Sequence, residues 1–219
     1  MAKKSAALRG GKKDIMKSET SNSLKKVYNQ KINNKIFIIS GPSGVGEDVI
    51  IDGLKKKIKF SQLITTVTRK MRTGERQGKP YHFVTVKKFK LMIKNKEFIE
   101  WAIVYGDYRG CPKKEIKRLL KLNKPILWKI DWQGVKTAKK VFSNQVVAIF
   151  IVPDTYQILE KRLIKRGWDS VQTIKNRKKF TLEWFKHKNI YDYIIINHQG
   201  KLRQAINETA AIIRKELKS

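Results

Sequence analysis

The residues most suggestive of chemistry are Gly41-Pro42-Ser43-Gly44-Val45-Gly46-Glu47-Asp48, which follow a short apolar run, Ile36–Ser40, and lead into a helical stretch from about Asp48 to Ile58. A glycine-rich turn between a buried strand and a helix is the setting in which backbone N–H groups wrap a phosphate at a helix N-terminus. Gly41 and Gly46 have the spacing of a GxxxxGK(S/T) loop, but Glu47 stands at the lysine position and Asp48 at the hydroxyl position that binds magnesium. A lysine there neutralises phosphate; a glutamate adds like charge. Two unit charges ~4 Å apart interact by about 4 kcal/mol at an effective dielectric of ~20. Asp48 is the milder change, because a carboxylate is an accepted ligand of Mg²⁺. Both acidic side chains also suit the positive end of a helix dipole, so they could themselves fill the anion site.

A loop of this kind has to be held by buried strands. Ile126–Ile130, Val146–Val152 and Tyr193–Ile196 have the same unbroken apolar character as Ile36–Ser40, with helical periods between them. Strands alternating with helices predict an α/β fold around a parallel sheet. The segment Leu63–Cys111 has shorter elements and more turn residues, and reads as a small insert on that sheet. Residues 1–34 are rich in Lys, Ser, Asn and Gly and read as a flexible basic tail, with a short helix expected near Leu24–Gln30. The tail lacks the apolar segment of a signal peptide; Asp14, Glu19 and the preference for lysine count against an organellar presequence without excluding organellar targeting.

Composition bounds the rest. With 219 residues and 41% hydrophobic content, the chain can fill one domain core plus an appendage. A single cysteine, Cys111, excludes an intramolecular disulfide framework and a cysteine-built zinc site, and His82, His187 and His198 lack metal-ligand spacing. The longest apolar run, Val146–Val152, falls far short of the ~20 residues that span a bilayer, so no membrane association and a cytoplasmic, reducing location are expected. The net charge of +32 permits weak association with RNA or another polyanion through a basic surface. Lysines outnumber arginines by more than three to one and are spread over the whole chain, which is equally what compositional drift would leave.

Several ordered motifs from about Lys35 to Leu217 resemble the guanylate kinases. Beyond Gly41–Gly46 they are Thr68-Arg69-Lys70-Met71-Arg72-Thr73-Gly74-Glu75, Gly78-Lys79-Pro80-Tyr81-His82-Phe83, Glu97-Phe98-Ile99-Glu100-Trp101, Ile130-Asp131-Trp132-Gln133-Gly134, and Arg162-Leu163-Ile164-Lys165-Arg166-Gly167-Trp168-Asp169-Ser170 followed by Arg177. The resemblance implies a three-layer P-loop kinase fold with a central parallel sheet, covering residues 35–218. Residues 63–112 would be the GMP-binding insert and 154–180 a helical lid. It implies that Thr65, Arg69, Arg72 and Tyr81 bind the GMP phosphate, that Glu100 and Asp131 recognise guanine, and that Arg162, Arg166 and Arg177 close over the transferring phosphoryl group. The co-substrate would be ATP with Mg²⁺, for which Asp48 is the candidate ligand.

Three further departures accompany the altered loop. Arg109 replaces a tyrosine near the GMP phosphate, Cys111 replaces a guanine-contacting hydroxyl, and Lys129 replaces an acidic residue two positions before Asp131. The loop has lost a lysine while its expected neighbour has gained one. Two outcomes follow: Lys129 reaches the β- and γ-phosphates and replaces the loop lysine, or Lys129 pairs with Glu47 across a donor site that takes no ATP. The first is a guanylate kinase making GDP and ADP from GMP and ATP. The second is a catalytically impaired domain that binds GMP or phosphorylated partners.

Overall fold

The computed structural model describes residues 34–218; the tail before residue 34, the short helix expected near Leu24–Gln30 and the side chains of Asn176 and Arg177 lie outside the described residues. In chain order the main elements are β1 (Ile36–Ser40), α1 (Glu47–Lys55), β2 (Ser61–Gln62), β3 (Thr66–Val67), β4 (His82–Phe83), α2 (Val86–Lys94), β5 (Phe98–Val104) and β6 (Asp107–Pro112). They continue with α3 (Lys113–Leu120), β7 (Ile126–Lys129), α4 (Trp132–Phe142), β8 (Val146–Val152), α5 (Tyr156–Arg166), α6 (Val171–Lys186), β9 (Tyr193–Ile196) and α7 (Leu202–Glu216).

Five strands form a parallel sheet in the order β2-β7-β1-β8-β9. β1 is buried along its whole length between β7 and β8, which is why it reads as an unbroken apolar run. Alternate residues serve opposite faces. Ile36 and Ile38 pack with Trp128, Val135 and Ala138 on the α4 side, and Phe37 and Ile39 pack with Ile50, Leu54, Ala205 and Ile213 on the side of α1 and α7.

A second, four-stranded sheet of order β4-β3-β6-β5 is mixed: β3 runs parallel to β4 and antiparallel to β6, which pairs antiparallel with β5. Its own small core is Phe89, Met92 and Phe98, with Phe89 stacked on Phe98 at 4.4 Å between centroids. The α/β architecture expected from the alternation of strands and helices is therefore present, with a parallel main sheet and a separate smaller one. The helices α5 and α6 are joined at Gly167, whose φ of 71° ends the first, and both carry N-caps, Thr155 and Ser170, that accept from the backbone.

Candidate active site

A cleft of about 310 Å³ lies between the loop after β1, the smaller sheet, the end of β7 and α5. Its place beyond the carboxyl ends of parallel strands is where open α/β sheets bind ligands. Gly46 is the N-cap of α1 at φ 101°, with no side chain capping the helix, so its first-turn amides are left for another acceptor. A Cβ on Gly46 would meet Asn197 Nδ2 at 2.6 Å, and Asn197 itself donates to the Val45 carbonyl at 2.8 Å, so the loop is clamped against the strand end after β9. Pro42 and Val45 turn into the interior and shape the loop, while Gly41, Ser43, Gly44, Gly46, Glu47 and Asp48 border the cleft.

Strand register explains where Lys129 goes. It pairs with Ile39 in the parallel ladder, one strand from the loop, and alternation puts it on the same face as Leu127, the face that α1 covers. Its ammonium reaches Asp48 Oδ1 at 2.5 Å, with side-chain exposures of 12% for Lys129 and 66% for Asp48. The partner is thus Asp48, and the ion pair expected with Glu47 is replaced by this one. Burial works against the Lys129 charge, but Tyr81, Asp48 and Glu47 outweigh it and hold the ammonium well above the ordinary lysine range. Burial likewise pushes Asp48 up, and Lys129 overcomes it, leaving the carboxyl below its usual range.

Glu47 behaves in the opposite way. Desolvation pushes its carboxyl up to about 8, against the pull of Lys129, while the neighbouring Asp48 charge adds to the rise. Near neutrality most of this side chain is protonated. The negative charge that Glu47 would bring to the phosphate loop is therefore largely absent, and that of Asp48 is met by Lys129.

The opposite wall is cationic. Arg69 makes two bonds to Glu75, at 2.6 and 2.5 Å, and Glu75 also accepts from the Arg72 backbone at 2.9 Å. Arg69 lies over the Tyr81 ring at 5.2 Å, and Lys129 over the same ring at 4.8 Å, so one buried phenol supports a cation from each side of the cleft. The Nε atoms of Arg69 and Arg109 are buried without a hydrogen-bond partner, the state expected of donors kept for an anion. Arg162 and Arg166 reach the cleft from α5. Arg162 donates to Gln199 Oε1 at 3.1 Å and the Asn197 carbonyl at 2.9 Å, and Arg166 to Asp169 at 3.1 Å.

Glu100, on β5, is buried at the floor. Burial and the neighbouring Asp131 raise its carboxyl well above the usual range, opposed by the Cys111 backbone amide. Asp131 is the N-cap of α4 and accepts from Gln133 and Gly134 at 2.8 and 3.1 Å. Thr65 borders the same cavity. Cys111 does not: its thiol is in the core and its nearest acceptor is the Pro112 carbonyl at 3.9 Å, so at this position the backbone, through Glu100, serves the site. Arg177 falls within α6, and its side chain is outside the described residues.

Site residues with no role assigned from sequence include Glu75, Tyr105, Asp107 and Trp168. Glu75 and Trp168 lie inside the quoted motifs, next to the arginines they touch. Tyr105 follows β5, with its hydroxyl 3.5 Å from the Ser43 amide and 3.3 Å from Thr181 Oγ1, tying loop, small sheet and α6 together. An isolated tyrosine in a turn carries no sequence signal for that.

For Mg²⁺, the donor set is sparse but adequate. Among the described residues no group of three His, Cys, Asp or Glu side chains could hold a metal alone. Mg²⁺ in phosphoryl-transfer sites needs only one or two carboxylates, with phosphate and water supplying the rest. Asp48, open to the cleft, fits that requirement.

Residues 33–216 match the guanylate kinase family. The chain is 42% identical over 170 residues to a guanylate kinase of Rickettsia prowazekii, covering 76% of this chain and 86% of that protein. It is 36% identical over 182 residues to guanylate kinase 2, chloroplastic/mitochondrial, of Oryza sativa, covering 83% of this chain but 64% of the longer rice protein. The crystal structure of a guanylate kinase from Anaplasma phagocytophilum superposes with a TM-score of 0.66 at 27% identity, over 85% of this chain and 87% of that one. With a family match over most of its length and relatives of this similarity, the chain belongs to the guanylate kinase family.

Proposed function

We propose that this chain transfers the γ-phosphoryl group of ATP to GMP, giving ADP and GDP, with Lys129 supplying the charge that the phosphate loop lacks. The observation that carries this reading is the Lys129 ammonium at the loop mouth, in the same cleft as Arg69, Arg72, Arg162 and Arg166. Uncapped amides at the start of α1 hold the donor phosphates, and Lys129, swinging from Asp48, neutralises their β- and γ-oxygens. Glu47 does not oppose this near neutral pH because its carboxyl stays mostly protonated.

The acceptor phosphate takes the donors of Arg69, Arg72 and Arg109 with the Tyr81 hydroxyl, and Thr65 lines its edge. Glu100, with Asp131 beside it in the cleft, accepts from the adjacent N–H groups of guanine, which adenine does not offer. Arg162 and Arg166, on the helical segment 154–180 acting as the lid, meet the charge that develops on the transferred group; Arg177, in the same segment, is assigned the same role from the sequence motif alone. A GMP phosphate oxygen attacks the γ-phosphorus in line as the bond to the ADP oxygen breaks; no group on the protein is covalently modified. Mg²⁺, held by Asp48 and the ATP phosphates, would supply further charge neutralisation.

The test is ADP release coupled to a reporter, with GMP, AMP or no acceptor. Turnover with GMP alone supports the reading. GMP that raises the melting temperature while Mg·ATP does neither that nor any chemistry would instead indicate a binding domain. We take the cytoplasm as its compartment; following the tagged chain with and without residues 1–34 separates that from organellar import.

A further inference from the structure

Trp168 is a large aromatic side chain left 54% exposed at the rim of the cleft, just after the glycine that ends α5. It contributes to no core cluster among the described residues. Two guanidiniums lie over its ring, Arg72 at 4.5 Å from the centroid and Arg166 at 4.4 Å. Arg72 comes from the acceptor side and Arg166 from α5. Arg166 also has Asp169, and Arg69 has Glu75, but no carboxylate lies within ion-pair distance of the Arg72 guanidinium among the described residues. Asp169 and Glu75 favour its charge from beyond that distance, and the indole face is what it lies against.

We propose that Trp168 is a positioning residue: its ring holds Arg72 and Arg166 together, so that binding the acceptor phosphate through Arg72 sets the place of the lid arginine. The physical basis is the negative face of the indole, the strongest cation-binding face among the aromatic side chains. It attracts both cations and so offsets their mutual repulsion, which no carboxylate shared between them would do without also repelling phosphate. A nucleotide phosphate can then draw on Arg72 without first breaking an ion pair. The same ring carries Arg166 toward the second phosphate, so the two arginines arrive together. This rests on the acceptor reading of the Arg72 side given above.

The experiment is GMP titration by calorimetry, with steady-state kinetics alongside, on Trp168→Phe, Trp168→Leu and Trp168→Ala, each also in an Arg72→Ala background. Losing two exposed cation–π contacts should weaken GMP binding about five- to tenfold in the Ala and Leu variants. The Phe variant, which keeps an aromatic face, should stay within about twofold of wild type. The melting temperature should stay as in wild type, because the side chain fills no core, and kcat should fall in the Ala and Leu variants because Arg166 loses the ring that places it. In the Arg72→Ala background, Trp168→Ala should cost no further GMP affinity. The proposal is overturned if Leu serves as well as Phe, since apolar bulk would then be the whole role, or if the loss persists without Arg72, since the ring would then touch the nucleotide itself. Calorimetry needs no turnover, so a wild type that binds GMP but transfers nothing overturns the kinase reading alone and leaves Trp168 decided by its variants.

Discussion

Replacing Lys129 by Met keeps most of the side chain's length and removes its charge. The stem is sheathed, with 12% exposure, so methionine fits along the same path over Tyr81. Two consequences have to be separated. For stability, the variant leaves Asp48 without its partner; a fully buried pair broken this way costs about 3–5 kcal/mol. Asp48 is 66% exposed, so water replaces much of the lost interaction and the cost falls toward the surface-pair range of about 1 kcal/mol. For catalysis, one charge ~4 Å from a phosphate oxygen at an effective dielectric of ~20 is worth about 4 kcal/mol, or roughly a thousandfold in rate. The expected result is therefore a folded protein, slightly less stable, whose kcat with GMP and Mg·ATP falls by about a hundred- to a thousandfold, the range seen when one transition-state donor is removed. The assay is coupled ADP release, with the melting temperature as the control for folding. Adding Asp48→Asn to the variant should recover stability without recovering rate. If Lys129→Met turns over within about threefold of wild type while folded, Lys129 does not replace the loop lysine and the reasoning fails.

Glu47 makes a prediction in pH. Its folded carboxyl titrates near 8 against an ordinary value of 4.5, so the native state holds a proton that the unfolded chain releases between those values. Stability from this group is present below about 4.5 and is lost as pH rises through about 8, and KM for ATP should climb over the same upper limb as charge appears beside the phosphates. Glu47→Gln should flatten both profiles; a wild-type KM constant from pH 6 to 9 would contradict the assignment. Glu100 starts with its carboxyl pushed well above the usual range, whereas guanine N–H donors favour the ionised form, so GMP binding should release a proton. Calorimetry in buffers of different ionisation enthalpy reads that release, and Glu100→Gln should abolish it while weakening GMP by about 1.5–3 kcal/mol. A Cβ at Gly134 would stand 3.0 Å from Ile130 and 3.2 Å from Glu100 Oε2. Gly134→Ala should therefore raise KM for GMP several-fold with little change in KM for ATP; equal changes in both would refute a local effect.

The lysine excess that dominates the composition has little to do with this site. Its cations are a handful of arginines and one lysine, each placed by a strand, a turn or a ring. The informative charges are local: Glu47 and Asp48 in the loop and Lys129 beside it, an exchange of signs between neighbouring elements 81 residues apart.

Apart from the polar two-residue edge strand Ser61–Gln62, which carries no such signal, the sequence alone marked four of the five strands of the main sheet, because a strand covered on both faces is apolar throughout, as Ile36–Ser40 and Val146–Val152 are. It also determined the strand–loop–helix frame around Gly41–Gly46, since backbone geometry dictates those glycines, and it singled out the arginines and Glu100 through ordered motifs. Other features were decided only by the folded chain. Asp48 rather than Glu47 meets Lys129 because the parallel register with Ile39 and the alternation of β7 aim the ammonium at the open side of α1. Glu47 is held mostly neutral because charge in a desolvated pocket depends on surroundings that residue order does not state. The Cys111 thiol turns into the core while its amide supports Glu100, and Trp168 collects two arginines from separate elements. In each case the deciding quantity is a distance or a burial between segments far apart in the chain, and those exist only once the sheets and helices have packed.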